Sequence, residues 1–173
     1  VFSYFLSEKP ECGKRAIYYF SAIFPVSIHE VDSLRLMELR AALDEIFDED
    51  LSSGAEVEAD NVRGGSRRFA AQNLLHEDYD RYWAVDDSVT KVSFVVKLPK
   101  VRTFNRVQLQ EYIPLGQRVE AFSIDALAED GSWKPIARET TIGYKRIVQV
   151  PTTTTTAIRV NIEESLACPV LNG

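Results

Sequence analysis

Lys91-Val92-Ser93-Phe94-Val95-Val96-Lys97-Leu98 sets Val92, Phe94, Val96 and Leu98 on one side of an extended chain, and Lys91, Ser93, Val95 and Lys97 on the other. Successive side chains of a strand point to opposite faces, so this period of two predicts a strand with one apolar face. Downstream, Val107, Leu109 and Glu111 continue the theme, and Phe122, Ile124, Ala126 and Ala128 repeat it. Glu129-Asp130-Gly131-Ser132 is turn chemistry leading into Trp133 and Ile136, which predicts a hairpin. Two more strands are expected from Tyr144 to Val150, closed by Pro151, and from Ala157 to Ile162, where Ile158, Val160 and Ile162 share a face. The Thr152 to Thr156 run between them reads as a β-prone loop edge rather than a glycosylated stalk. Short strands separated by turns indicate an antiparallel β-sandwich or jelly roll from Gly54 to Gly173, a stretch long enough for its own core. Phe94, Val96, Leu109, Phe122, Ile124, Val148 and Val160 are expected to point into that core.

Upstream of Gly54 the periodicity changes. Ala16 to Phe24 is short, aromatic and β-branched and ends at Pro25, which fits a strand buried on both faces. Ser27-Ile28-His29-Glu30 spells a capping box, with the serine hydroxyl accepting from the third helical amide and Glu30 reaching back to the amide of Ser27. Leu36, Leu39, Leu43, Ile46 and Phe47 then recur at three- and four-residue steps, which predicts an amphipathic helix from Val31 to Phe47. The fold class is therefore mainly β: a sandwich preceded by one short strand and one amphipathic α-helix, with a boundary between residues 53 and 54.

Composition narrows the function. The 173 residues are 45% hydrophobic and 27% charged with a formal charge of −6, so no global basic field gathers nucleic acid or an anionic bilayer. The longest apolar stretch falls short of the roughly 18 to 20 residues that span a membrane. The first residues lack the basic start and small-residue cleavage site of a signal peptide and begin without Met, so a processed or excised chain is expected. Two cysteines, Cys12 and Cys168, carry neither metal-ligand nor redox spacing, and a disulfide between them stays open. Two histidines, His29 and His76, leave little material for a histidine metal site or a catalytic triad.

Particular words then stand out. Phe104-Asn105-Arg106-Val107-Gln108-Leu109-Gln110-Glu111-Tyr112-Ile113-Pro114-Leu115-Gly116-Gln117-Arg118-Val119, followed by Thr140-Thr141-Ile142-Gly143-Tyr144-Lys145-Arg146, closely resembles the C-terminal β-sandwich of the glycoside hydrolase family 29 α-L-fucosidases. Asn73-Leu74-Leu75 followed by Asp80-Arg81-Tyr82-Trp83-Ala84 resembles galactose-binding-like, discoidin-type domains as well. Ile28-His29-Glu30 with Asp32 and the helix after it is similar to the segment that ends the catalytic barrel of that family. The resemblance covers roughly residues 25 to 173 and implies that residues 1–53 are a remnant of the barrel end. It also implies a parent protein that removes α-L-fucose from glycans through a covalent glycosyl-enzyme intermediate, in a secreted, periplasmic or lysosomal-type setting. This chain, lacking the barrel with its Asp nucleophile and carboxyl acid/base, is expected to be inactive alone. A free-standing carbohydrate-binding or discoidin-type adhesion module is the rival, against which the leucine-rich helix speaks because it needs a partner surface. That stripe is expected to drive self-association of an isolated chain, reversed by polar residues at Leu39 and Leu43.

Candidate site residues follow from chemistry. Retaining glycoside hydrolysis needs two carboxyl groups about 5 to 5.5 Å apart across a sugar pocket. The neighbours Glu163 and Glu164, and Asp86 and Asp87, read instead as solvated charge, and the acidic run Asp44 to Asp50 as a helix end and linker. Sugars are met by aromatic faces and planar polar groups, which nominates Trp83, Tyr79, Tyr82, Tyr112, Arg118 and His76. Against those roles, Trp83 reads as a core anchor and Arg118 as a tie between loop carbonyls. The resemblance further implies a structural calcium ion near Asn73 to Trp83, with Asp78 and Asp80 as oxygen ligands. The Gly64-Gly65 segment with Arg63, Arg67 and Arg68 lacks a strand-turn-helix context and reads as a flexible surface loop, not a phosphate site.

Overall fold

The structure, a computed structural model, describes residues 35–39, 41, 50–76 and 80–173. The chain divides between Asp50 and Leu51 into two units. In the first, residues 35–39 and 41 are helical, with Leu36, Met37 and Leu39 exposed at 44%, 67% and 51%. The expected strand at Ala16 to Phe24, the capping box and the rest of the helix lie outside the described residues.

The second unit is an antiparallel β-sandwich. Its strands are β1 (Glu56–Ala59), β2 (Trp83–Ala84), β3 (Val92–Leu109), β4 (Val119–Leu127), β5 (Trp133–Glu139), β6 (Arg146–Ser165) and β7 (Val170–Leu171). The main sheet has the order β1-β3-β6-β4-β5, and β2 pairs with β7. The tail of β3 leads into the small sheet: Glu111 bridges Leu171, Tyr112 N–H donates to Val170 O, and Asn172 N–H donates to Gln110 O. The chain following β3 thus passes from one layer to the other, and the core lies between the layers. Trp83 of β2 meets Phe94 of β3 edge to face, with ring centroids 5.3 Å apart.

The seven residues expected in the core are all buried, together with Trp83, Val119, Ile162 and Leu171. Alternation dictates this, because one register slip would have exposed each of them. The hairpin also forms: Ala128 N–H donates to Ser132 O at 2.8 Å, and Gly131 turns at φ 80°, which a side chain would resist. On the outer face of β4, Ser123 and Asp125 are buried too, covered by a polar layer of Arg159, Asn161 and Glu163. Arg159 grips Asp125 through Nε and Nη2 at 3.1 and 2.7 Å and lies over the Trp133 ring at 4.8 Å.

One expectation is corrected. Tyr144 to Val150 and Ala157 to Ile162 are not two strands with a threonine loop between them; β6 runs unbroken through Pro151 and the threonines. Proline lacks the N–H that a ladder needs, but the pairing with β3 shifts register between Phe104 and Arg106, and Pro151 sits in that irregularity. The β-branched threonines favour extension, and Thr103 and Thr154 pair their hydroxyls across the ladder at 2.8 Å.

The edge strand β1 is closed by a side chain. Gln72 donates from Nε2 to Ala55 O at 3.1 Å and accepts from Val57 N–H at 3.1 Å, as a neighbouring strand would.

Candidate functional site

The nominated residues divide by location. Trp83 is 0% exposed, and its indole N–H donates to Asn61 O at 3.0 Å, so it is an internal anchor with no face for a ligand. His76 and Asp80 are exposed, while Tyr79 and Asp78 lie outside the described residues. Tyr82 and Tyr112 come together: their rings stack with centroids 4.4 Å apart, and Phe69 lies 5.5 Å from Tyr82, tilted. Local structure explains the meeting. Tyr82 immediately precedes β2, Tyr112 is bonded to Val170 of β7, and β2 and β7 are paired, so the two rings leave neighbouring strands at one end of the sandwich.

Arginines rim this aromatic row. The Arg68 guanidinium stands 5.5 Å from the Phe69 centroid, and that of Arg63 stands 6.0 Å from it. Arg63 also pairs with Asp87 at 2.7 Å, and that carboxylate holds its guanidinium above the ordinary arginine value. Arg118 is engaged as a tie. Its Nε and Nη2 donate to Leu115 O at 3.2 and 2.9 Å, and its Nη1 donates to Cys168 O at 2.8 Å and approaches Cys168 Sγ at 3.0 Å. Cys168 is buried and free among the described residues, and Cys12 lies outside them.

The glycine-arginine loop is pinned rather than loose. Gly64 N–H donates to Asp86 Oδ1 at 2.8 Å, Asn61 Nδ2 donates to Asp86 Oδ2 at 3.0 Å, and Asn61 Oδ1 accepts from Asp86 N–H at 2.9 Å. The Gly64 amide first and the Asn61 amide second hold the Asp86 carboxyl below its usual range. Gly64 and Gly65 adopt φ of 57° and 60°, which is why glycines stand there.

Two residues with decisive local roles were absent from the sequence-based shortlist. Phe69 completes the aromatic row. Glu111 is 1% exposed and accepts three main-chain N–H bonds: Arg118 and Val119 on Oε1 at 2.7 and 2.9 Å, and Gly143 on Oε2 at 2.8 Å. It joins the loop before β4 to the loop before β6, and so sets the stage on which Tyr112 and Arg118 stand. Its signal was available: an acidic residue in the inward phase of Val107, Leu109 and Glu111 must find donors if it is buried.

An aromatic row with an arginine rim suits the C–H face of a sugar and its hydroxyls. Asp86 and Asp87 are both engaged in the pairings described.

Comparison with known proteins bears on the fold and the family. The F5/8 type C domain model matches residues 56–168. A candidate α-L-fucosidase 1 of Oryza sativa subsp. japonica is 34% identical over 79% of this chain and 27% of its own length. Alpha-L-fucosidase 1 of Arabidopsis thaliana is 29% identical over 70% of this chain and 24% of its own length. The crystal structure of a candidate α-L-fucosidase from Bacteroides thetaiotaomicron superposes with a TM-score of 0.75 at 30% identity, covering 84% of this chain and 32% of that one. The chain thus spans about a quarter of the length of the curated relatives it matches. With the model matching well over half of its residues, the chain belongs to the F5/8 type C domain family, and its sandwich matches the C-terminal β-sandwich of glycoside hydrolase family 29 α-L-fucosidases.

Proposed function

We infer that this chain is the C-terminal accessory region of a glycosidase that hydrolyses α-L-fucosidic bonds in glycans with retention, and that its part is to hold glycan beside a catalytic domain which supplies the chemistry. The observation that carries this reading is the extent of the match: fucosidase relatives align along the sandwich and over only a quarter to a third of their own length. The Tyr82–Tyr112 stack with Phe69 and the Arg63 and Arg68 guanidiniums is the surface assigned to glycan contact, with Tyr112 the ring on which binding most depends.

Two measurements test it. The purified chain is expected to release nothing above background from an aryl α-L-fucoside, because transition-state stabilisation needs both carboxyl groups in one preorganised pocket. It is expected to bind fucosylated oligosaccharides in a titration followed by NMR, with shifts at Tyr82 and Tyr112 that vanish in Tyr112→Ala. Turnover abolished by changing one of the chain's own acids would overturn the first statement. Glycan binding unaffected by Tyr112→Ala would overturn the second.

A further inference from the structure

Tyr112 stands at one end of the aromatic row. Its ring stacks on Tyr82 with centroids 4.4 Å apart, Tyr82 also meets Phe69 at 5.5 Å, and among the described residues no further ring stacks on Tyr112. At the other end Phe69 carries the Arg68 guanidinium 5.5 Å from its centroid. Tyr112 is therefore the ring with a face left for a sugar. The turn that carries it is fixed by main-chain bonds: Leu115 N–H donates to Tyr112 O at 3.0 Å, Gly116 N–H donates to Ile113 O at 2.8 Å, and the Arg118 guanidinium donates to Leu115 O at 3.2 and 2.9 Å. Residues three apart in a 3-10 turn lie one above the other, so Leu115 falls on the same side of the turn as Tyr112. Arg118 O accepts from Leu166 N–H at 2.8 Å, which brings Leu166 alongside.

Ile113, Leu115 and Leu166 are exposed at 37%, 45% and 73%. Among the described residues of the second unit, only Val101 and Ile147 join them as exposed large hydrophobics, so three of five gather on this turn and the loop tied to it. Single exposed leucines are ordinary, but three on a braced turn form an apolar collar beside the open ring. A pyranose on Tyr112 sets its C–H bonds against the aromatic face. Its exocyclic carbon reaches beyond that face, and the three collar side chains offer it neither donor nor acceptor. A methyl group suits such a place, whereas a hydroxymethyl brings a hydroxyl against aliphatic carbon and loses a hydrogen bond to water. We propose that the Tyr112 turn makes this surface selective for 6-deoxy sugars over fully hydroxylated hexoses, with Tyr112 taking the ring and Ile113, Leu115 and Leu166 the C6 methyl. The inference deepens the glycan reading and rests on it.

The test compares methyl α-L-fucopyranoside with methyl α-L-galactopyranoside, which differ only by a hydroxyl on C6, each titrated into the whole 173-residue chain and followed by NMR. A methyl moved from water onto the collar is worth about fourfold in affinity, and an unmet hydroxyl counts against the analogue, so a preference on the order of four- to tenfold for the fucoside is expected. The double substitution Leu115→Ser and Leu166→Ser should bring that ratio close to one, chiefly by weakening the fucoside. Ile147→Ser, at an exposed aliphatic residue on β6, should leave the ratio as it is in the wild type. Binding of neither sugar would overturn both the glycan reading and this one. Equal binding of the two, lost in Tyr112→Ala, would overturn this one alone. So would a preference that the double substitution does not move, whether the leucines then prove to serve adsorption to phosphatidylcholine vesicles or contact between copies of the chain in sedimentation.

Discussion

Removing the Glu111 side chain would expose how the loop end of the sandwich is held. In Glu111→Ala the amides of Arg118, Val119 and Gly143 lose their only described side-chain acceptor in a place where the parent residue is 1% exposed. Each buried donor left unmet costs about 1 to 3 kcal/mol, so three cost roughly 3 to 9 kcal/mol, less whatever an entering water restores. The unit from Leu51 to Gly173 should have a total stability of about 6 to 18 kcal/mol at the usual density per residue. The substitution therefore removes about half of it. Glu111→Gln keeps the shape, and its one oxygen can still serve Arg118 and Val119, but its NH2 then faces the Gly143 N–H. An intermediate loss of about 2 to 4 kcal/mol is expected, from one unmet donor and the loss of charge assistance. Urea denaturation followed by fluorescence measures both losses, and hydrogen exchange adds a local check: the Gly143 amide should lose protection in both variants, those of Arg118 and Val119 chiefly in the alanine variant. The reasoning fails if Glu111→Ala unfolds within about 1 kcal/mol of wild type with an unchanged denaturant slope.

Trp83→Ala should cost about 3 to 5 kcal/mol by urea denaturation, the range for truncating a large core aromatic, while Trp83→Phe should lose less and chiefly through the Asn61 bond. Asp86 and Glu163 both have folded-state pKa values below their ordinary 3.8 and 4.5, Asp86 through the Gly64 amide and Glu163 chiefly through a Ser123 hydrogen bond, with Arg138 lesser. Depressed carboxyls stabilise above the unfolded value and lose that contribution as pH falls through the folded one. The thermal midpoint should therefore be flat near neutrality and decline below about pH 4.5, with a shallower decline in Asp86→Asn. The leucine stripe of the helix leads to the expectation that an isolated chain sediments as a dimer or larger species and that polar residues at both Leu39 and Leu43 leave a monomer; a wild-type monomer would refute this.

What could be read in advance, and what could not, follows from the length scale of each signal. β3 and β4 were legible because alternation over seven or more residues has no other explanation, and their buried residues were named correctly for that reason. β1, β2 and β7 are four, two and two residues long, too short to carry a period, and they exist because a partner strand or a Gln72 side chain supplies their bonds. Pro151 misled because a missing N–H ends a regular ladder, whereas this ladder is irregular at that step, a property of the pair that neither strand contains alone. The candidate site divides in the same way. Tyr112 and Arg118 were reached through the words around them, yet the Arg118 guanidinium turns its described bonds to Leu115 and Cys168 and serves as a brace. Tyr82 and Tyr112 sit far apart in sequence and adjoin because β2 and β7 pair, and Phe69 reaches Tyr82 from the turn before β2, so no local pattern announces the row. Glu111 is the intermediate case: its phase on β3 predicted burial, and burial of a carboxylate demands donors, but which three amides answer is fixed by loops that fold around it. Local alternation therefore decides which residues form the platform, and the pairing of distant short segments decides which side chains stand on it.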